Sequence, residues 1–406
     1  MAKKKLILCD AFTPPAYVPR VRFLCDYLAM QGDEIELYTE QFAPINFEHS
    51  YSIHEIRIYH FEGVLGKIEW VTKSLLSLLF DYKNRYFSKQ VQRLTKNKHF
   101  DLVFCSSFHT FPLRAAYEIA QEKQIPLHID LRDLAEQAPG NQYQKNNWTI
   151  LKPFLNSFKN INIKRRNKII RKANSLTSVS PWHINFLKTY NANTHLIYNG
   201  FDANNFTPNT ITSKKFIISY TGKLYEQSMQ NPKLFFEVLS KLTQENETFK
   251  TNCEIHFYTA TGGQERIKSL AKKYNISELM RYQTYVDTKK VPTILQQSSI
   301  VLVFSNKATS KGPHGIMTTK FFEALGVEKP VLCVRSDEDC LANAIVKTNA
   351  GLAAKNVEEV ENFIMEKYAE WQQYGFTHQT VNQEAKKQFS RQEQAKQFEK
   401  LFDTII

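Results

Sequence analysis

Short apolar runs rich in β-branched residues alternate along most of the chain with longer segments of helical spacing. Most of these runs are apolar at nearly every position, as in the strands of a parallel sheet that helices cover on both faces. Regular alternation of strand and helix therefore predicts an α/β protein built from doubly wound parallel sheets. The predicted strands are residues 5–10, 34–39, 56–61, 101–107, 126–132, 175–180, 195–200, 216–222, 254–259, 281–286, 300–305 and 330–335.

This pattern lapses at residues 201–214, where Asn, Thr and Pro are frequent, as in a linker. At 406 residues the chain is longer than one ordinary core requires and suits two domains of about 200 residues. We therefore expect an N-terminal Rossmann-like domain at residues 1–203 and a C-terminal Rossmann-like domain at residues 204–388.

The last segment, residues 389–406, is predicted to be an amphipathic helix that packs on either domain. Phe398 and Phe402 recur at helical spacing, and Ser390 followed by Glu393 forms the pattern of a capping box.

Composition narrows the class of protein. A hydrophobic content of 42% with 23% charged residues is typical of a folded domain and argues against disorder. The six cysteines lack the spacing of a disulfide framework or a metal site, which indicates a reducing compartment. Because no apolar run is long enough to span a bilayer, we expect a cytoplasmic protein, either free or peripheral on the inner face of the membrane.

The formal net charge of +13 favours anionic partners such as phosphates, nucleic acid or an anionic lipid surface. No nucleic-acid-binding module is evident, so we expect no nucleic-acid partner. Residues 64–94 combine large apolar side chains with six Lys or Arg, and residues 145–172 hold many Lys and Arg without an acid. Two interpretations stay open: contact with an anionic membrane, or core helices with solvated basic faces.

Polar residues that follow the strands are candidate ligand contacts, because doubly wound domains bind ligands at the carboxyl ends of their strands. In the first half, Asp130, Arg132 and Asp133 end one strand and His109 follows another. The alternatives are an internal Asp-Arg pair that closes a loop and a histidine that belongs to the core or a helix cap. The turn after the first strand lacks the G-x-G-x-x-G fingerprint, which argues against a nicotinamide cofactor.

In the second half, Gly222 and Lys223 follow the strand at 216–222 and suit a phosphate, since glycine permits close approach and lysine adds charge. A glycine-containing loop leads into a short helix at Thr318, and the free amides of such a helix start bind anions. Glu323 lies one turn further on, where a carboxylate can accept hydrogen bonds from ribose hydroxyls. Together these residues predict a nucleotide diphosphate site; the alternative for Glu323 is a solvated side chain on an exposed face.

The order of several motifs closely resembles the family 4 retaining glycosyltransferases of GT-B architecture, along nearly the whole chain. The motifs are, in order, SVSPWHINFLKTY, HLIYNGFD, FIISYTGKLY, YVDTKKVPTILQQSSIVLVFS and GIMTTKFFEALGVEKPVLCV. The NGFD segment of the second and the K-F-F-E-A-L helix of the last are the more specific.

This resemblance implies two doubly wound domains that face a central cleft. The second domain would hold a UDP- or GDP-linked sugar as co-substrate, and the first would hold a saccharide or lipid-linked acceptor. The sugar would be transferred with retention, without a metal ion or other cofactor. Surface polysaccharide or lipopolysaccharide biosynthesis is the pathway class that fits.

The resemblance also implies residue roles. Glu323 matches the ribose-binding glutamate, and Lys223 matches the basic residue that neutralises the diphosphate and so serves catalysis. Asp130 or Asp133 matches the first-domain loop that touches the transferred sugar. The other donor-site residues are Gly222, Gly315, Ile316, Met317, Thr318, Thr319 and Lys320, and the acceptor-side residues are Pro15, Arg20, His109 and Arg132.

Two departures from the family pattern stand out. Gly315 occupies the position of the family's first acid, and Ser228 and Met229 stand where a second basic residue is expected. Phosphate charge must then be neutralised from elsewhere, with Lys307, Lys311 and Lys320 as the candidates. A nucleotide-sugar 2-epimerase of the same architecture and a non-catalytic partner subunit are the alternative functions.

Overall fold

A computed structural model describes residues 2–12, 19–45, 47–137, 152–225, 229–284, 286–307 and 314–406. The chain forms two compact units, Met1–Tyr198 with Gln394–Ile406, and Asn199–Glu393. Pro15, Lys311 and residues 145–151 of the basic segment lie outside the described residues, and side chains of the following helix are described from residue 157.

The first unit is a seven-stranded sheet in the order β3-β2-β1-β4-β5-β6-β7, and every pair of neighbouring strands is parallel. Its central strand β4 is buried at every position, as the continuous apolar pattern predicted. The strands are β1 (Lys4–Cys9), β2 (Glu34–Glu40), β3 (Ser52–Ile56), β4 (Leu102–Ser107), β5 (Leu127–Leu131), β6 (Ser175–Ser178) and β7 (Thr194–Leu196). Its helices are α1 (Pro19–Met30), α2 (Gly63–Phe80), α3 (Tyr82–Thr95), α4 (Leu113–Lys123), α5 (Lys152–Ile170) and α6 (Pro181–Lys188).

The second unit is a six-stranded parallel sheet in the order β10-β9-β8-β11-β12-β13. Buried aromatic side chains, Tyr220, Phe257 and Phe304 among them, form much of its core. The strands are β8 (Phe216–Thr221), β9 (Cys253–Tyr258), β10 (Met280–Gln283), β11 (Ile300–Phe304), β12 (Val331–Val334) and β13 (Gly351–Ala354). The helices are α7 (Lys233–Glu245), α8 (Glu247–Asn252), α9 (Thr261–Lys273), α10 (Val291–Gln297), α11 (Thr319–Gly326), α12 (Cys340–Thr348), α13 (Val357–Tyr374) and α14 (Gln383–Lys387).

The final helix, α15 (Arg391–Ile405), begins as its capping box predicted, because the Glu393 amide donates to Ser390 Oγ at 3.2 Å. Most of this helix belongs to the first unit. Phe398 and Phe402 are buried there, each with its ring centroid 5.5 Å from that of Phe104.

Two strand predictions need correction. The strand predicted at residues 56–61 lies earlier, as β3, and Arg57 beyond it donates to the Tyr59 and His60 carbonyls instead of continuing the ladder. As an edge strand β3 is partly exposed, so its composition is more polar than that of a buried strand. Strand β13 was not predicted, because its sequence, GLAA, lacks β-branched residues.

Candidate active site

The end of β8 and the first turn of α11 meet at one edge of the second unit's sheet. Gly222 has a φ of +113°, and a Cβ built on it would lie 3.1 Å from both Cε and Nζ of Lys320. The lysine side chain therefore packs directly against the glycine backbone. A close backbone approach and a positive charge therefore lie side by side here, as a diphosphate requires, with Lys320 beside Gly222 in addition to the predicted Lys223.

The Lys320 side chain is buried, and no carboxylate of a described residue pairs with its ammonium group. The side chain is 8% exposed, and its Nζ lies 5.1 Å from the centre of the Tyr220 ring. Burial lowers the pKa of Lys320, and the nearby Glu323 charge opposes that effect. A buried cation without a direct counter-ion is costly to keep, and an anionic ligand would offset that cost.

Glu323 lies on α11 on the side away from the fully buried Phe321, Phe322 and Leu325, which supply the apolar face predicted for this helix. It is half-buried, and burial raises the pKa of its carboxyl to about 6, opposed by the positive charges of Lys320 and Arg391. No hydrogen bond from a described residue ends on this carboxylate. It is available to accept hydrogen bonds from a ligand.

The segment before α11 presents backbone to the same edge. Thr318 is the N-cap residue but its side chain makes no capping hydrogen bond, so the first-turn amides are not satisfied by it. Gly315 has a φ of +64°, Met317 is buried, and Ile316 is 39% exposed. Thr319 opens the helix and is exposed.

The loop after β8 is held by Tyr220 and Gln230. The Tyr220 hydroxyl donates to the Lys223 carbonyl at 2.9 Å, and the Tyr225 amide donates to Gln230 Oε1 at 2.8 Å. The Lys223 side chain is exposed, with its Nζ 5.2 Å from the Tyr225 ring centre. Its backbone is fixed while its charge stays accessible to solvent and ligand.

Arg266 on α9 is a candidate site residue that the sequence analysis missed. Its Nη1 donates to the Tyr225 carbonyl, while Nε and Nη2 are buried and lack hydrogen-bond partners among the described residues. Two unpaired donors on one planar guanidinium match two oxygens of a phosphate. The available signal was TGGQER, a glycine pair at a helix start followed by arginine, immediately after a strand end.

The candidates for the missing second basic residue are now placed. Lys307 Nζ pairs with Glu338 at 2.8 Å on the exposed surface, whereas Lys320 lies against Gly222. Lys311 lies outside the described residues. Lys320 and Arg266 are therefore the cations that the structure brings to the loop after β8.

In the first unit, Asp130 and Arg20 form a buried ion pair. Arg20 donates through Nε at 3.1 Å and Nη2 at 3.0 Å, and Ser106 and Thr177 donate at 2.9 and 2.8 Å, to an Asp130 carboxylate with no exposure. Burial would raise the pKa of Asp130, but the Arg20 charge and these hydrogen bonds outweigh it and lower the pKa.

Arg20 also links β5, through Asp130, to the segment that follows β7. It donates to the carbonyls of Ile197 and Tyr198, and its guanidinium lies 4.8 Å from the Phe398 ring centre. With all four Asp130 bonds made to protein, this geometry gives Asp130 and Arg20 a structural role. The alternative of an internal Asp-Arg pair applies, with Arg20 as the partner in place of Arg132.

Asp133, Arg132 and His109 gather at the carboxyl edge of the first unit's sheet. Arg132 forms an ion pair with Asp10, and its Nε is buried without a partner among the described residues. Burial raises the pKa of Asp133 to about 6, opposed by Arg132 and supported by Asp10. Unlike Asp130, the Asp133 carboxylate accepts no hydrogen bond from a described residue.

His109 in this group is neutral at pH 7. Burial lowers its pKa to about 4, and the positive charges of Lys159, Arg166 and Arg132 act in the same direction. Its Nε2 is buried and has no partner in the described part of the chain. A neutral imidazole with a free ring nitrogen can donate to or accept from a sugar hydroxyl.

No protein-family model and no curated protein matches this sequence. Solved structures do match. Sucrose-phosphate synthase from Thermosynechococcus elongatus superposes with a TM-score of 0.66 at 14% identity, covering 99% of both chains. HepE from Anabaena, in complex with UDP-glucose, gives a TM-score of 0.61 at 14% identity, covering 99% of this chain and 100% of that chain. This chain has the GT-B fold.

Other GT-B structures differ in reaction. WaaG, described as a glycosyltransferase of lipopolysaccharide biosynthesis, has a TM-score of 0.56 at 13% identity, with 99% of each chain covered. A putative UDP-N-acetylglucosamine 2-epimerase from Listeria monocytogenes has a TM-score of 0.52 at 11% identity, covering 98% of this chain and 95% of that one. At these identities the similarity shows the GT-B fold, and the reaction has to be argued from the site.

Proposed function

We propose that this chain is a retaining glycosyltransferase of family 4 that moves a sugar from a UDP- or GDP-linked donor to a saccharide or lipid-linked acceptor. The observation that carries the proposal is the meeting of the Gly222 backbone, the Lys320 ammonium and the Glu323 carboxylate at one sheet edge. This set has the parts that a nucleoside diphosphate needs: close backbone approach, positive charge and an acceptor for ribose hydroxyls.

The donor chemistry follows from where charge develops. A sugar that leaves a diphosphate passes through an oxocarbenium-like state, and negative charge collects on the departing phosphate oxygen. Lys223, Lys320 and the amides at the start of α11 would stabilise that charge. We assign front-face attack to the acceptor hydroxyl, whose proton passes to the departing phosphate while the new glycosidic bond forms, which retains the anomeric configuration.

We assign acceptor binding to the first unit. Asp133 rather than Asp130 is the carboxylate for the transferred sugar, since Asp130 is enclosed and fully hydrogen-bonded. His109 Nε2 and Arg132 Nε are buried polar atoms that have no hydrogen-bond partner among the described residues. No metal ion or other cofactor is part of this proposal, because fixed cations serve the leaving group.

Two of the GT-B neighbours support transfer to surface glycans. WaaG is described as a glycosyltransferase involved in lipopolysaccharide biosynthesis, and WaaB as a lipopolysaccharide outer core galactosyltransferase, while HepE in complex with UDP-glucose supports a UDP-linked donor. On that basis we propose a role in surface polysaccharide or lipopolysaccharide assembly, at the cytoplasmic face of the membrane. In the described part of the chain no helix combines the length and hydropathy required to cross a bilayer.

The test is calorimetry with UDP-, GDP-, ADP- and CMP-linked sugars, on the wild type and on Glu323→Ala. We expect one nucleotide class to bind the wild type and to bind the variant at least about tenfold more weakly, as for loss of a charged hydrogen-bond acceptor. If no nucleotide binds the wild type, the donor-site proposal is wrong. Equal binding by the variant would remove Glu323 from the site.

An epimerase is the second candidate, because one structural neighbour is described as such. Analysis of products with donor alone separates the two reactions, since an epimerase releases a rearranged sugar without any acceptor. A non-catalytic subunit would give no product with any donor and acceptor pair, even where the nucleotide binds.

A further inference from the structure

Helix α2 presents a continuous apolar face to solvent. Val64 is 73% exposed, Ile68 58%, Val71 38%, Leu75 44% and Leu79 46%. At about 100° per residue these five side chains fall within an arc of roughly 80°, so they form one stripe along the helix. We call these five residues the α2 face. Phe61, Leu65 and Phe80 extend it and are 60%, 64% and 60% exposed.

The opposite side of α2 fastens the helix to the first unit, mainly through polar groups. Ser74 and Ser77 are buried there, with Leu78 as the one buried large apolar side chain among the described residues of this helix. Glu69 accepts from the backbone amides of His60 and Phe61 at 2.7 and 2.9 Å. Lys73 donates to the Ile58 carbonyl and to Glu69, each at 2.6 Å. These bonds set the rotation of the helix, so the outward direction of the α2 face is a property of the fold.

A surface helix usually packs its apolar stripe on the core and turns its polar side to solvent, whereas α2 turns most of its apolar side chains to solvent. This orientation removes, for α2, the alternative that the segment is a core helix with a solvated basic face. Contiguous exposed apolar area of this kind marks a surface that binds something.

Charge on α2 and on the helix that follows it favours an anionic partner. The next helix, α3, contains Lys and Arg but no acid. Its Arg85, Lys89 and Arg93 are exposed, and none forms an ion pair with a described residue. Lys67 on α2 is exposed in the same way. A second copy of this chain would bring a like-charged helix to the same interface, which disfavours self-association.

We propose that the α2 face docks on an anionic phospholipid surface, with the apolar side chains in the interfacial region and the α3 cations on lipid headgroups. An amphipathic helix with cations beside its apolar stripe lies in the membrane plane in this manner. This proposal extends the proposed function and rests on it in one respect: membrane docking would bring a lipid-linked acceptor to the enzyme.

The test is flotation with vesicles of phosphatidylcholine and phosphatidylglycerol in equal parts, against vesicles of phosphatidylcholine alone, at about 0.1 M salt. The test variant is the triple substitution Ile68→Gln, Leu75→Gln and Leu79→Gln, which keeps good helix formers at exposed positions. Val346→Gln is the matched control, because Val346 is 76% exposed on α12 of the other unit.

We expect the wild type and Val346→Gln to float with the anionic vesicles and the triple variant to partition about 100-fold less. That figure follows from withdrawing three large apolar side chains from the lipid interface. A second variant, Arg85→Gln with Lys89→Gln and Arg93→Gln, should lose anionic selectivity and salt dependence while its α2 face is intact.

A wild type that stays at the bottom of the gradient with anionic vesicles overturns the proposal, and so does a triple variant that floats like the wild type. A dimer in sedimentation that the triple variant abolishes would assign the face to self-association instead. Circular dichroism and nucleotide calorimetry on the same variants check folding. They also separate the two proposals: a wild type that binds nucleotide but not vesicles would contradict the membrane proposal and leave the proposed glycosyltransferase function standing.

Discussion

Lys320 Nζ lies 3.1 Å from the point where a Cβ on Gly222 would stand. These two residues come from different strand ends of one sheet, and a side chain at position 222 would require the end of Lys320 to shift by a few tenths of an ångström. Close packing of this kind makes the glycine testable.

Gly222→Ala should weaken nucleotide binding and destabilise the protein. The φ of +113° is unfavourable for alanine and the added methyl presses on Lys320, so we expect a loss of about 1–3 kcal/mol in the free energy of unfolding. Chemical denaturation and nucleotide calorimetry measure the two effects. Gly32→Ala is the control: its φ is +91° with no atom within 4 Å of the new Cβ, so it should lose stability without losing binding. Unchanged binding by Gly222→Ala would contradict the assignment.

Glu323→Gln should raise stability at pH 8 while weakening nucleotide binding. Burial raises the pKa of Glu323 from 4.5 to about 6, so the folded state holds a proton that the unfolded state releases between these values. Stability therefore falls as the pH rises through that window, by about 2 kcal/mol in total. The variant should gain up to that amount at pH 8 and much less at pH 5, measured by denaturation. Glu237→Gln is the control for removing one carboxylate, because Glu237 is exposed on α7.

Arg266→Gln should weaken binding of the nucleotide diphosphate by roughly tenfold or more, as for loss of a charge-assisted hydrogen bond. Its Nε and Nη2 are the buried donors without described partners. Lys268→Gln on the same helix is the control, because Lys268 is exposed and pairs with Glu265. Calorimetry with the diphosphate and with the free nucleoside locates the effect: similar loss for both ligands would place Arg266 away from the phosphates.

Asp130→Asn and Asp133→Asn should have opposite effects. The first leaves Arg20 buried without its counter-ion, and we expect a loss of about 3–5 kcal/mol in unfolding free energy. The second relieves a buried carboxyl whose pKa is raised to about 6, so it should keep or raise stability at pH 7 while it lowers sugar transfer. Thermal unfolding measures the stability of each variant, and a sugar-transfer assay measures its activity. Full transfer activity in Asp133→Asn would remove that residue from the site.

Local pattern was enough for the parallel α/β architecture, because apolar periodicity records which segments are covered on one face or both. The same information located the end of β8 at Gly222 and the apolar face of α11, since each depends on neighbours a few residues away. Local pattern failed at the edge strands of the two sheets: β3 was predicted a few residues too late in the chain and β13 was not predicted. Edge strands bury less surface and so carry a weaker apolar pattern.

The amino-acid order by itself determined most of the strands and helices and the sheet edges where the candidate ligand-binding residues lie. Tertiary structure alone decided which of two neighbouring aspartates is enclosed, since Arg20 reaches Asp130 across 110 positions. It also decided that Arg266 joins the loop after β8 and that α2 turns its apolar side outward. Periodicity describes how a segment alternates but not which atoms elsewhere in the fold meet it, and hydrogen bonds to other segments set all three outcomes.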